Sequence, residues 1–134
     1  MEYIFLILAI LLATIIGYRF FILKQMYWTS QYQISKVYSK PNDVAATINR
    51  SLKDAKFTHI QDSGNVLFAR ANATMSSWSE IIRVNYFVEK NKLHVDFISR
   101  CAVPVQIFDW GKNRRNAKRF FARLESNLIK STYS

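Results

Sequence analysis

Cysteine occurs once in this 134-residue chain, at Cys101, so no intramolecular disulfide can form and no Cys-x-x-Cys pair exists. A lone thiol is compatible with a reducing compartment, and the expected role of Cys101 is a small buried apolar residue rather than a nucleophile. The only two histidines, His59 and His94, are far apart and have no Cys or Glu at ligand spacing, so neither a zinc site nor any other cofactor is expected. Glycine is too sparse for a phosphate-cradling loop, and no G-x-S-x-G elbow is present. Acids are scarce as well. Lys and Arg number 19 against 9 Asp and Glu, and the resulting +10 favours anionic partners such as phospholipid headgroups or nucleic acid.

What the chain does have is one long apolar run. Tyr3 to Leu23, YIFLILAILLATIIGYRFFIL, carries a single charge, Arg19. A helix of that length at ~1.5 Å per residue crosses the ~30 Å hydrocarbon layer. Arg19 can snorkel at its end, with Tyr18, Tyr27 and Trp28 at the interface. A cleaved signal peptide would need a basic start and a small-x-small site, whereas the chain starts Met-Glu and Gly17 is followed by Tyr18-Arg19. Residues 1–24 are therefore expected to be an uncleaved transmembrane anchor. Gly17 has no second glycine to make a helix-pairing motif. Arg19, Lys24, Lys36 and Lys40 all follow the run and no base precedes it. The expectation is an inner-membrane, single-pass protein with its N-terminus outside and its domain in the cytoplasm; a periplasmic domain is the alternative.

Residues 25–40 are read as a juxtamembrane segment that can form a short strand near Ile34 to Tyr38, and 41–134 as one basic α+β domain. After Pro41-Asn42, the residues Val44, Ile48, Leu52 and Ala55 recur at helical spacing, with Asp43 placed favourably at the helix start. Two hairpins follow. The first turns at Asp62-Ser63-Gly64-Asn65; the second turns at Asn91, with Ile82, Val84, Tyr86 and Val88 alternating on one strand and Leu93, Val95 and Phe97 on the other. Pro104 interrupts the pattern before Ala117, Phe120, Phe121, Leu124 and Leu128 define a second amphipathic helix. The predicted domain is two-layered, in the order helix, four-stranded antiparallel sheet, helix, with both helices on one face.

The last helix opens with FDWGKNRRN, residues 108–116. Asp109, Trp110, Gly111 and Asn113 form a helix-opening motif whose structural role is capping and bending, and whose functional role would be anion binding at free backbone amides. Between Lys112 and Lys130 there are seven bases and one acid, Glu125. Lys112, Arg114, Arg115, Lys118, Arg119 and Arg123 are the candidate anion or headgroup contacts, because bases tethered beside an anionic bilayer act at high local concentration. Nucleic acid is disfavoured: most aromatics are assigned to the anchor, the strand faces and the last helix, and the element order is not that of an RNA-recognition motif. Trp78, in the polar stretch ATMSSWSE, is a candidate exposed contact. His94 and Asp96 share a strand face, which is the spacing of an acid–base pair, yet no nucleophile motif accompanies them. No enzyme is expected.

The C-terminal half resembles an uncharacterised bacterial family of small α+β domains with a Ser-Arg element at the end of a strand and an Asp-x-Gly-x-Asn element opening the last helix. The matching residues are Ser99, Arg100, Asp109, Gly111 and Asn113. The spacer between Arg100 and Asp109 is longer than the family's, its paired acids are missing, and Asn116 stands where it has arginine. The resemblance implies the fold and no activity. Taken together, the sequence predicts a membrane-anchored interaction domain for a protein partner or the anionic membrane surface. The alternative is a carrier of lipid or another small hydrophobe, with a cavity between sheet and last helix.

Overall fold

The computed structural model describes residues 2–26, 30–73, 78–103 and 111–132, with side chains of the first helix described at 4, 5 and 7–19. Its order is α1 (Glu2–Met26), β1 (Gln31–Ser39), α2 (Val44–Asp54), β2 (Thr58–Asp62), β3 (Val66–Ala71), β4 (Glu80–Glu89), β5 (Lys92–Cys101) and α3 (Lys112–Thr132). The fold is α+β, with a five-stranded antiparallel sheet in the order β1-β5-β4-β3-β2.

The sheet thus has one strand more than the four expected, and part of the predicted juxtamembrane segment belongs to it. Nine consecutive residues of β1 pair with β5, from Gln31 opposite Arg100 to Ser39 opposite Lys92. Tyr32, Ile34 and Tyr38 pack against the core from this strand. The alternation is interrupted at Lys36, which keeps an inward position by reaching Glu125 of α3 at 3.0 Å and lying 4.9 Å over the Phe121 ring.

The remaining elements follow local chemistry. Asp43 caps α2 by accepting from the Ala46 N–H at 3.0 Å. At the β2–β3 turn Gly64 takes φ +78 and its N–H donates to Asp62 Oδ1. The β4–β5 turn is two residues long, Lys90 and Asn91, both at positive φ (48 and 62), as a two-residue hairpin of primed type requires.

Both helices cover one face of the sheet. Ile82, Val84, Leu93, Val95 and Phe97 are buried against Ile48 and Leu52 of α2 and Phe120, Phe121 and Leu124 of α3. The Phe97 ring lies 5.1 Å from Phe120, 5.9 Å from Phe121 and 6.4 Å from Phe57, centroid to centroid. The space beneath α3 at this point is filled by rings. The other face of the sheet carries no helix among the described residues.

Among the described residues, no helix is long and apolar enough to cross a membrane. The transmembrane anchor expected over residues 1–24 is thus not supported by the described residues, although Glu2–Met26 is helical.

Candidate functional site

The start of α3 is where buried polar groups gather. Gly111, at φ +73, lets the chain turn into the helix, and its carbonyl accepts the first helical bond from Arg115 N at 3.0 Å. Asp109 and Trp110 lie outside the described residues. Asn113 is buried at 1% exposure, and its Oδ1 accepts from Ser99 Oγ at 2.6 Å while its Nδ2 donates to the Ser30 carbonyl at 2.9 Å. Asn116 Nδ2 donates to the same Ser99 hydroxyl at 3.2 Å. One turn of helix is thereby tied to the end of β5 and to the residue preceding β1. Of the residues that carry the family resemblance, Ser99 and Asn113 touch, and Arg100 points to the opposite, exposed face.

The basic stripe expected along α3 divides in two. Lys112 faces inward: it is 7% exposed, pairs with the fully buried Glu80 at 2.8 Å, and donates to the carbonyls of Asn72 and Trp78 at 2.8 and 3.3 Å. Buried charge persists only with partners of this kind, so Lys112 is a structural tie between α3, β4 and the end of β3. Arg119 is also engaged, donating to Asn116 Oδ1 at 3.1 Å and sitting 4.8 Å over the Phe57 ring. Burial pulls its guanidinium below the ordinary arginine range, partly offset by the attraction of Glu80. Arg114, Arg115, Lys118, Arg119 and Arg123 are exposed. The inward Lys112 is a correction to a stripe drawn from charge alone, because it lies at the flank of the buried face of the helix.

The register joins Arg100 to a second arginine, Arg70, that the sequence pattern leaves unmarked. On the uncovered face, Gln31, Arg100, Ile81, Arg70 and Thr58 form one row across all five strands. Arg70 and Arg100 are exposed and sit two strands apart in that row, with Ile81 of β4 between them. Trp78, 65% exposed, precedes β4 at the same end of the sheet, where Ala102 N donates to Ser79 O at 3.0 Å. Neither the row nor the first turn of α3, Lys112 to Arg115, contains an acid; Glu80 at this end is buried against Lys112.

The acid–base pair is not assembled. His94 stacks on Phe87 with centroids 4.5 Å apart and planes 4° from parallel. Asp96 accepts instead from Ser35 at 2.8 Å, Gln33 at 3.1 Å and Asn85 at 3.4 Å. Cys101 is buried at 3% exposure. Among the described residues no group of three or more His, Cys, Asp or Glu could hold a metal ion.

Two grooves flank the contact between β1 and α3. One, of about 330 Å³, is lined by Tyr32, Ile34, Arg114, Lys118, Phe121 and neighbours; the other, of about 310 Å³, by Tyr38, Pro41, Leu128, Ile129 and neighbours. Glu125 borders both. The hydrogen bonds from Lys36 and Tyr38 hold its carboxyl below the usual carboxylate range. Burial, followed by the bond to Glu125, raises the Tyr38 phenol.

The sheet edges are blunted against strand addition. Edge strand β1 carries the inward Lys36, and edge strand β2 is broken by an irregular register between Thr58 and Gln61 with His59 at φ +52. No family model matches the chain, and no curated protein matches it.

Proposed function

We propose that the protein is a single-pass, membrane-anchored interaction domain, with α1 as the anchor and the sheet-and-helix domain working at the membrane surface. The observation that carries this reading is the character of α1. Leu8, Ile10, Leu11, Leu12, Ile15 and Ile16 are each 53–62% exposed. Successive residues advance about 100° around a helix, so these side chains point in all directions and need an apolar solvent on every side. A bilayer supplies it. The 25-residue helix, about 37 Å long at ~1.5 Å per residue, matches the hydrocarbon layer with room for tilt.

Bases follow the run and none precedes it, which supports a cytoplasmic domain and an outside N-terminus. The rings packed around Phe97 and the open form of the two grooves favour interaction over carriage of a hydrophobe within the fold.

Alkaline carbonate extraction of membranes, followed by thiol labelling in intact cells, tests this. A Ser134→Cys variant on a Cys101→Ser background should stay in the membrane pellet and react with an impermeant reagent only after the inner membrane is opened. Release into the alkaline supernatant would remove the anchor. Labelling once the outer barrier alone is breached would put the domain in the periplasm.

A further inference from the structure

We propose that the anchor-side end of the domain, formed by Arg70, Arg100, Arg114, Arg115 and Trp78, is a headgroup-binding surface that seats the domain on an anionic bilayer. This inference rests on α1 being the anchor. Only residues 27–30 separate α1 from β1, and the five steps from Met26 to Gln31 reach no farther than about 17 Å. Whichever groups lie beside Gln31 are held close to the lipid surface.

The fold decides which groups those are. Arg100 is the direct partner of Gln31 in the β1–β5 ladder, and Arg70 follows two strands away in the same row. Adjacent strands are ~4.8 Å apart, so the two guanidinium groups rise from positions about 10 Å apart, a spacing that fits neighbouring headgroups. On the other side of the same end, the Asn113 amide bonds the carbonyl of Ser30, the residue just before β1, which fixes the first turn of α3 and its exposed Arg114 and Arg115 beside the tether.

Charge and apolar character coincide there. Four exposed arginines stand with no acid in their row or helical turn. Trp78 is the amphipathic ring type that settles at the membrane–water boundary. At the opposite end the charges are mixed: Glu89 pairs in register with Lys92 across the Lys90-Asn91 turn, and Asp43 lies beyond Lys40. An even distribution of the net charge would have no such polarity along the axis set by the tether. Arginine, planar and weakly hydrated, suits phosphate oxygens better than the lysines that dominate the far end.

The test uses the full chain in nanodiscs of phosphatidylcholine alone or mixed with phosphatidylglycerol, each doped with a paramagnetic-headgroup lipid. The readout is relaxation enhancement of the Trp78 indole N–H by NMR. Enhancement should be strong in the anionic discs, weak in the neutral ones and reversed by high salt. Combined substitution Arg70→Gln, Arg100→Gln, Arg114→Gln and Arg115→Gln should lower the surface-seated population on the order of tenfold or more. Lys92→Gln, at the far end, should leave it unchanged. Equal enhancement in neutral and anionic discs, or no response to the four substitutions, overturns the seating surface while leaving the anchor intact. Failure of the chain to insert into either disc removes the anchor and the seating surface together.

Discussion

Ser99 and Asn113 meet at 2.6 Å, hydroxyl to amide oxygen, across the gap between the end of β5 and the first turn of α3. Both are buried to 1% exposure or less, and the same hydroxyl accepts from Asn116. A Ser at this position therefore uses its donor and its acceptor at once. Ser99→Ala should cost about 1–3 kcal/mol, because it strands two buried amides. Asn113→Ala should cost a similar amount, and the double variant less than the sum. Denaturant unfolding of the four proteins measures that coupling; strict additivity would mean that the two side chains act independently.

The same contact shows what could and could not be read from the chain. Strands β4 and β5 were legible because Ile82 and Val84 alternate cleanly, as do Leu93, Val95 and Phe97, and all of them are buried. Strand β1 was legible only near Ile34 to Tyr38. Its outward series contains the apolar Val37 and its inward series contains Lys36, whose partner Glu125 is 89 positions away, so neither face alternates cleanly. Asn113 lies two helical turns before Phe120, on the same line, so its burial is a matter of period. The row holding Arg70 and Arg100 has no such local trace, since strand register across a sheet is a property of the pairing. Lys112 misled for a related reason. A lysine in a basic run reads as solvated, and its acid, Glu80, belongs to strand β4, far away in the sequence.

Lys112 supplies the second prediction. Its ammonium neutralises a carboxylate with no exposure and satisfies two backbone carbonyls. Lys112→Met should destabilise the domain by roughly 3–5 kcal/mol, the cost of leaving a buried charge unpaired. That is a large part of the 5–15 kcal/mol typical of a domain. Adding Glu80→Met should recover much of the loss, since the pair is then replaced by packed apolar groups. Chemical denaturation of both variants decides it. If Lys112→Met were neutral, the lysine would be an ordinary surface base and the expected stripe on α3 would regain a member.

A third prediction concerns the β4–β5 turn. Asn91 tolerates φ +62, but glycine adopts it without steric cost, and the Lys-Asn pair fills a turn for which Asn-Gly is the preferred sequence. Asn91→Gly should leave the fold unchanged and alter stability by less than about 1 kcal/mol, with relief of strain opposed by the greater freedom of the unfolded chain. Lys90→Asn, which keeps a side chain suited to positive φ, should stabilise. Thermal unfolding of the two variants separates strain from chain entropy: a loss in both would show that the lysine makes a contact worth more than its backbone conformation costs.

Glu125 sets the pH dependence of the join between β1 and α3. Its carboxyl is held below the usual range chiefly by the hydrogen bond from Lys36, with a second from Tyr38. A carboxylate depressed in the folded state contributes stability above its unfolded pKa of ~4.3 and loses it as pH falls through the lower, folded value. The side chain is 46% exposed, so solvent screening limits the contribution to roughly half a kcal/mol. Glu125→Gln should accordingly be slightly less stable than the native chain at neutral pH and indistinguishable from it in strong acid. Because the same groove lies beside Arg114 and Lys118, the native chain should also resist salt less well than the glutamine variant. Unfolding midpoints across pH, at low and high salt, measure both effects. A difference between the two proteins that persisted unchanged into strong acid would place the stabilisation in packing of the Glu125 stem against Tyr38 and not in its charge.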